Sequence, residues 1–181
     1  MRKSLLLLLL ISLIFLGTPK SYAQDNATPS SVINVDYPLP YPGILPDNPL
    51  YFMKALRDKA VSFFISDPLK KAEFDLLMAD VRLNAAQYLF AKGENKYSLA
   101  ETTISKGENY FYDSLVKISD AKKQGMPVDD FVSKLIIAAQ KHQQVVLELT
   151  SKTSGSVKDR LIEDEKRIQA FENRSMQIKP N

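Results

Sequence analysis

Leu69, Ala72, Leu76, Ala79, Leu83, Ala86 and Phe90 follow each other at alternating steps of three and four. This spacing keeps one side of an α-helix apolar for about six turns. A rod with one dry side lays it on other helices, and the rest of the chain supplies them. Asp67-Pro68 marks the start, a capping carboxylate followed by a proline whose missing N–H costs nothing in a first turn. Gly93 suits the position just past the last turn. The stripe nevertheless continues in phase through Tyr97, Ala100, Ile104, Gly107, Phe111, Ser114, Ile118 and Ala121, because Lys92-Gly-Glu-Asn95 recurs two heptads later as Lys106-Gly-Glu-Asn109. One rod of about 55 residues, about 80 Å long, therefore competes with two helices joined at Gly93. The remaining helices are too short to cover such a rod, so the spacing predicts the turn and a new helix over 95–123. Gly107 then lies inside a helix at a cost of about 1 kcal/mol against Ala. Either it lets a neighbouring helix come close, or it has no role.

The same reading predicts three more helices. One spans 48–65, with Asp47 as its cap and Pro49 in its first turn. Phe52, Leu56, Ala60, Phe63 and Phe64 form its inward face, while Lys54, Arg57, Asp58 and Lys59 lie mostly outside. Another runs to about Lys152 behind Asp129 and Asp130, which favour a helix start. Its stripe is Val128, Phe131, Leu135, Ala138, His142, Val145 and Leu149. The last spans 157–176, with Val157, Leu161, Ile168 and Phe171 inward and Glu163–Arg167 as an i,i+4 pair. Its narrow face makes it the least securely docked. The fold class is all-α: an antiparallel bundle of four to five helices with an N-terminal proline-rich extended strap.

The strap is written in prolines. Six of the ten lie between Pro29 and Pro49, and Pro38, Pro40 and Pro42 alternate, which favours extended polyproline II. Tyr37, Leu39, Tyr41, Ile44 and Leu45 are too many large apolar side chains for a free linker, so they are expected to pack on the bundle. Before it comes a basic Met1-Arg2-Lys3, an apolar run broken only by Ser12, and Ser21-Tyr22-Ala23, the form of a cleaved signal peptide. The apolar run is shorter than the roughly 20 residues of a membrane span. The expected division is a signal peptide over 1–23, a disordered leader and strap over 24–46, and the bundle over 47–178.

Cleavage changes the charge. The chain has 24 Lys+Arg and 21 Asp+Glu, and the signal carries Arg2, Lys3 and Lys20 but no acid, so the exported chain is neutral. The basic surplus gives no argument for nucleic acid, and a neutral surface gives no special attraction to anionic lipid. With no cysteine, disulfides, thiolate metal sites and Cys nucleophiles are excluded.

Catalytic signals are thin. His142, the one histidine, falls on an apolar stripe and has no evident nucleophile. A di-iron bundle needs Glu-x-x-His on two helices, and Ala139 stands where that Glu belongs. Ser114-Leu-Val-Lys117 and Ser119-Asp-Ala-Lys122 match a bare Ser-x-x-Lys, without the companion motifs of serine hydrolases. No phosphate loop, dinucleotide fingerprint or zinc spacing is present. No catalytic, cofactor or metal residues are therefore assigned, and no cofactor is expected. Tyr110, Phe111 and Tyr112 are consecutive and cannot share one core. With Tyr97 and Tyr88 they are candidates for a partner surface, Tyr97, Tyr110 and Tyr112 foremost, since aromatics anchor such contacts, and ordinary boundary positions of a bundle explain them equally well.

Leu45-Pro-Asp-Asn-Pro-Leu-Tyr51, then Lys54, then Arg82-Leu83 in the next helix, resembles a bacterial domain-of-unknown-function family, family 5667, of exported or membrane-tethered helical proteins. The matching positions are Pro46, Asp47, Pro49, Leu50, Tyr51, Lys54, Arg82 and Leu83. The acid that often follows the Arg-Leu pair is replaced by Ala86 and Gln87. The resemblance implies a helical fold and export, and no reaction. The functional expectation is a non-enzymatic extracytoplasmic interaction protein that binds a protein partner or itself, with no nucleic acid and with membrane contact only through an uncleaved signal. A chaperone-like holder of unfolded clients is the alternative, and a hydrolase using His142 or a Ser-Lys pair is third.

Overall fold

The computed structural model describes residues 34–179, all within one compact unit, Val32–Asn181. The expected signal peptide and most of the expected leader lie outside the described residues. Five helices follow in order: α1, Tyr51–Phe64; α2, Pro68–Ala91; α3, Tyr97–Lys123; α4, Asp129–Ser151; and α5, Gly155–Ile178, with a 3-10 turn at Glu94–Lys96. Among the described residues there is no strand.

The long stripe breaks where glycine permits it. Gly93 has φ +110°, outside the range a side chain tolerates, so α2 and α3 fold back as a hairpin. Asp67 caps α2 by accepting from the Lys70 amide at 2.8 Å. α1 has no side-chain cap. Asn48 Oδ1 accepts from the Leu50 amide, and Asp47, expected as the cap, instead takes Lys92 and Lys96 at the far end of α2.

α2 and α3 meet through small residues. Ala72, Ala79 and Ala86 recur every seventh position of α2, and Ala100, Gly107, Ser114 and Ala121 do so on α3; all are buried. The chains run antiparallel, so Ser114 Oγ donates to the Ala72 carbonyl at 2.8 Å. A Cβ on Gly107 would stand 3.1 Å from Arg82 Cβ and 3.3 Å from Ala79 O. Gly107 therefore lies in close contact with α2, and any side chain there presses on Arg82 and the Ala79 carbonyl.

A second hairpin, α4 and α5, completes a four-helix core, with α5 on α3 and α4 on α2. Every member of the α4 stripe from Val128 to Leu149 is buried. One apolar cluster gathers Leu76, Phe111, Leu135 and Phe171; another gathers Leu83, Leu89, Ile104, Val146 and Ile168. α5 is docked on both α3 and α4, so the expectation that it is the loosest helix is corrected: α1 holds that place, outside both clusters. The pair Glu163–Arg167 expected on α5 does not form either. Glu163 takes Lys166, and Arg167 crosses to Glu108 and Asn109 on α3.

The strap lies on the core as an extended segment. Its backbone is held at two points: Val35 N–H donates to Gln144 Oε1 at 3.0 Å, and Asn84 Nδ2 donates to the Pro40 carbonyl at 2.8 Å. Tyr37 and Leu39 pack on the two clusters as expected. Tyr41 and Ile44 lie outside both clusters and are exposed, Tyr41 meeting the Tyr88 ring of α2 edge-on.

Candidate functional site

The inward face predicted for α1 points outward. Phe63 and Phe64 are 82% and 80% exposed, Leu56 66% and Phe52 65%, whereas Asp58 is buried. The polar side of the helix is tied instead to the strap and to α2. Lys54 Nζ donates to the Pro42 carbonyl at 2.6 Å, and Lys71 Nζ donates to the Ser62 carbonyl at 2.5 Å. Arg57 donates to the buried Asp58. Beneath them Arg82 is buried, with its guanidinium over the Tyr110 ring at 4.1 Å and one N–H donated to the Met78 carbonyl. Its charge acts on Tyr51 and Lys54 of α1, and a buried cation of this kind favours a polar helix face beside it. Burial pushes the Tyr51 hydroxyl up, against the lowering influence of Arg82. Burial also pushes the Lys54 ammonium down, although Asp58 opposes it.

Beside α1 an open groove of about 740 Å³ runs between strap, α1 and α2. Tyr41, Ile44, Leu50, Met53 and Leu77 give it an apolar wall, and Lys54 and Arg57 line it as well. The groove and the outer face of α1 share Met53, which joins the apolar surface of one to that of the other.

The motif residues divide between these places. Tyr51, Lys54 and Arg82 gather at the seam under α1, and Leu83 is in the core. Leu50 is exposed at the groove, Pro49 is exposed, and Pro46 is half-buried. Asp47 sits away from the seam, its carboxyl held below the usual range chiefly by the hydrogen bond from Lys92. The tyrosines chosen as a partner surface are not brought together. Tyr97 stacks on Phe90 at 4.4 Å, half-buried; Tyr110 lies under Arg82; and Tyr112 is outside, near Arg174. Thirteen residues of helix put Tyr97 and Tyr110 about 20 Å apart.

His142 is sealed rather than set in a cleft. It is 1% exposed, and its Nε2 lies 2.9 Å from Asp80 Oδ1. The other oxygen of Asp80 accepts from the Tyr37 hydroxyl at 2.6 Å. A carboxylate has no proton to give, so the histidine nitrogen is the donor. This Tyr–Asp–His chain joins strap, α2 and α4 where the two apolar clusters meet. Burial first, then the charge of Asp80, pushes the Tyr37 hydroxyl far up. Ser114 gives its hydroxyl to Ala72, so the serine and the histidine are engaged separately. Among the described residues no group of three acids or histidines is arranged to hold a metal ion.

One charged cluster escaped the sequence. Glu101 and Glu108 on α3 and Asp164 on α5 are buried together, with Arg160 and Arg167 at the rim. Arg160 Nε donates to Glu101 at 2.7 Å. Arg167 Nη1 is 2.8 Å from Glu108 Oε2 but out of line for donation, and both Glu108 oxygens and Asp164 Oδ2 are without a hydrogen-bond partner. Burial above all, then Asp164, raises the Glu108 carboxyl to about 9; burial and Glu101 raise Asp164 to about 7. At neutral pH this seam keeps a proton.

Among the described residues no helix is long and apolar enough to cross a membrane. No curated protein and no solved structure matches the chain. The family model described as Domain of unknown function (DUF5667) matches residues 43–156, from the end of the strap to the first two residues of α5. That span is more than half of the chain and takes in the everted helix, the seam beneath it and three of the four core helices: the protein belongs to the DUF5667 family.

Proposed function

We propose that the protein is a non-enzymatic, exported interaction module in which the four-helix core is a rigid mount for α1. The observation that carries this reading is the outward turn of Phe52, Leu56, Phe63 and Phe64 on a helix whose polar side is fastened to the bundle. A contiguous exposed apolar face of this kind marks a docking site. The sealing of His142 and the engagement of Ser114 fit a core built for stability rather than turnover. Export rests on the form of residues 1–23.

The test is association of the chain beginning at Gln24 with cell envelopes from its own source. The unaltered chain sediments with the envelope, and Phe52→Ser/Phe63→Ser/Phe64→Ser stays in the supernatant. Equal sedimentation of the two removes α1 as the docking element.

A second reading is favoured by the open apolar groove: holding unfolded clients. α1 is a single helix of 14 residues, about 21 Å long, and presents a flat stripe rather than a cradle. A holder suppresses aggregation of unrelated denatured proteins at near-equal stoichiometry; a dedicated module leaves them to aggregate.

A further inference from the structure

Resting on that reading, we infer that the outer face of α1 seats in the interface of an anionic lipid bilayer. At 100° per residue, Phe52, Phe63, Leu56, Ala60, Met53 and Phe64 sweep one arc of about 120°. Lys59 stands just beyond one edge of the arc and Arg57 just beyond the other, both exposed. Asp58, the only acid of α1, is turned inward and taken by Arg57, so no carboxylate borders the arc from its own helix. Large apolar side chains flanked on both sides by cations are the pattern of a helix lying in the headgroup region. Fourteen residues cannot cross a membrane but can lie in its plane.

The same flanks argue against a second copy. Two α1 faces laid together would bring Lys59 and Arg57 of both copies to one seam, and the one acid of α1, Asp58, is turned inward and already taken by Arg57. A bilayer of anionic lipid meets both requirements, an apolar floor and a negative rim. The groove beside α1 extends the contact, since Tyr41, Leu50 and Met53 lie along it. Neutral net charge does not bear on this, because the attraction acts within a Debye length of α1 alone.

The chain beginning at Gln24 retains the whole compact unit Val32–Asn181 and has no tryptophan. Phe63→Trp therefore places a single reporter on the arc, and Tyr112→Trp places one on exposed α3. Each is titrated with vesicles of phosphatidylcholine alone and of equal parts phosphatidylcholine and phosphatidylglycerol. The Phe63→Trp emission shifts to the blue on the anionic vesicles, with affinity about tenfold or more above that for the neutral ones; Tyr112→Trp emission does not move. Phe52→Ser/Phe64→Ser in the reporter background abolishes the shift, while far-UV circular dichroism keeps its helix signal. Arg57→Gln/Lys59→Gln removes the preference for anionic vesicles. A folded reporter that stays unshifted on both vesicles overturns the inference. So does a dimer in light scattering that the serine variant dissolves. If vesicles fail but envelope sedimentation still depends on α1, the interaction module stands and its partner is a protein.

Discussion

Glu108→Gln separates a protonated seam from an ion pair. Glu108 is 1% exposed on α3, beside Asp164 of α5, and its carboxyl is raised from 4.5 to about 9, chiefly by burial. The unfolded chain releases this proton near its ordinary pKa, and the fold retains it to higher pH. Across that window the native state binds more protons than the unfolded state, so stability falls as pH rises. The slope is about 1.4 kcal/mol per pH unit for one group. From pH about 6 to about 8, Glu108 alone removes up to about 3 kcal/mol, or about 6–12 °C of midpoint for a chain of this size. Asp164, raised from 3.8 to about 7, steepens the fall only at the acid end of the window. Glutamine keeps the shape and cannot ionise. Thermal unfolding followed by circular dichroism is therefore expected to show the wild type losing midpoint steadily between pH about 6 and about 9. Glu108→Gln should hold its midpoint across the upper half of that range and exceed the wild type at its alkaline end. If the variant is less stable than the wild type at alkaline pH, Glu108 is ionised there and Arg167 holds it as a buried pair, contrary to the reasoning.

Three further outcomes are expected. Tyr37→Phe deletes a 2.6 Å donor to the buried Asp80, at about 1.5–3 kcal/mol, and frees the strap. Limited proteolysis then cuts within 34–46 faster than in the wild type while α2 to α5 remain protected; unchanged cutting would mean that the strap is held elsewhere. Gly107→Ala raises helix propensity by about 1 kcal/mol, yet the 3.1 and 3.3 Å contacts awaiting its Cβ make the variant less stable in urea, and Gly107→Leu less stable again; a gain for Ala would disprove the close approach. Asp80→Asn keeps the size of the side chain but loses the charge that Tyr37 and His142 both address. It is expected to cost about 2–4 kcal/mol in denaturant unfolding, and no loss would remove the three-residue chain as a structural pin.

The core was legible because three-four spacing is a geometric statement about one helix. The α2 stripe from Ala72 and the α4 stripe from Val128 are buried, and the glycine turn at Gly93 followed from the length of rod the other helices could cover. The heptad of small residues from Ala72 to Ala121 was also in plain sight, but it says only that two backbones approach, and the partner had to be seen. α1 was read backwards for a definite reason. Amphipathicity fixes that a helix has an apolar face, and only the neighbours fix which way it points. Those neighbours are Arg82, the Pro42 carbonyl and Lys71. Long-range polar contacts carry no local signal: Asp80 meets His142 from 62 positions away. Glu101, Glu108 and Asp164 lie among lysines and arginines in the chain, a pattern shared with any solvated face, so nothing short of the fold revealed that they are enclosed. The tyrosines are not gathered in one place because adjacency in sequence spreads side chains around a helix.

Everything functional here depends on Phe52, Phe63 and Phe64 facing away from the bundle, and thermal unfolding of Phe52→Ser/Phe63→Ser/Phe64→Ser tests that directly. Exposed rings contribute little to folding, so the monomeric variant should keep a midpoint within about 2 °C of the wild type, or above it. Were these rings part of a core, each loss would cost about 3–5 kcal/mol, and a midpoint lower by tens of degrees would show that α1 faces inward.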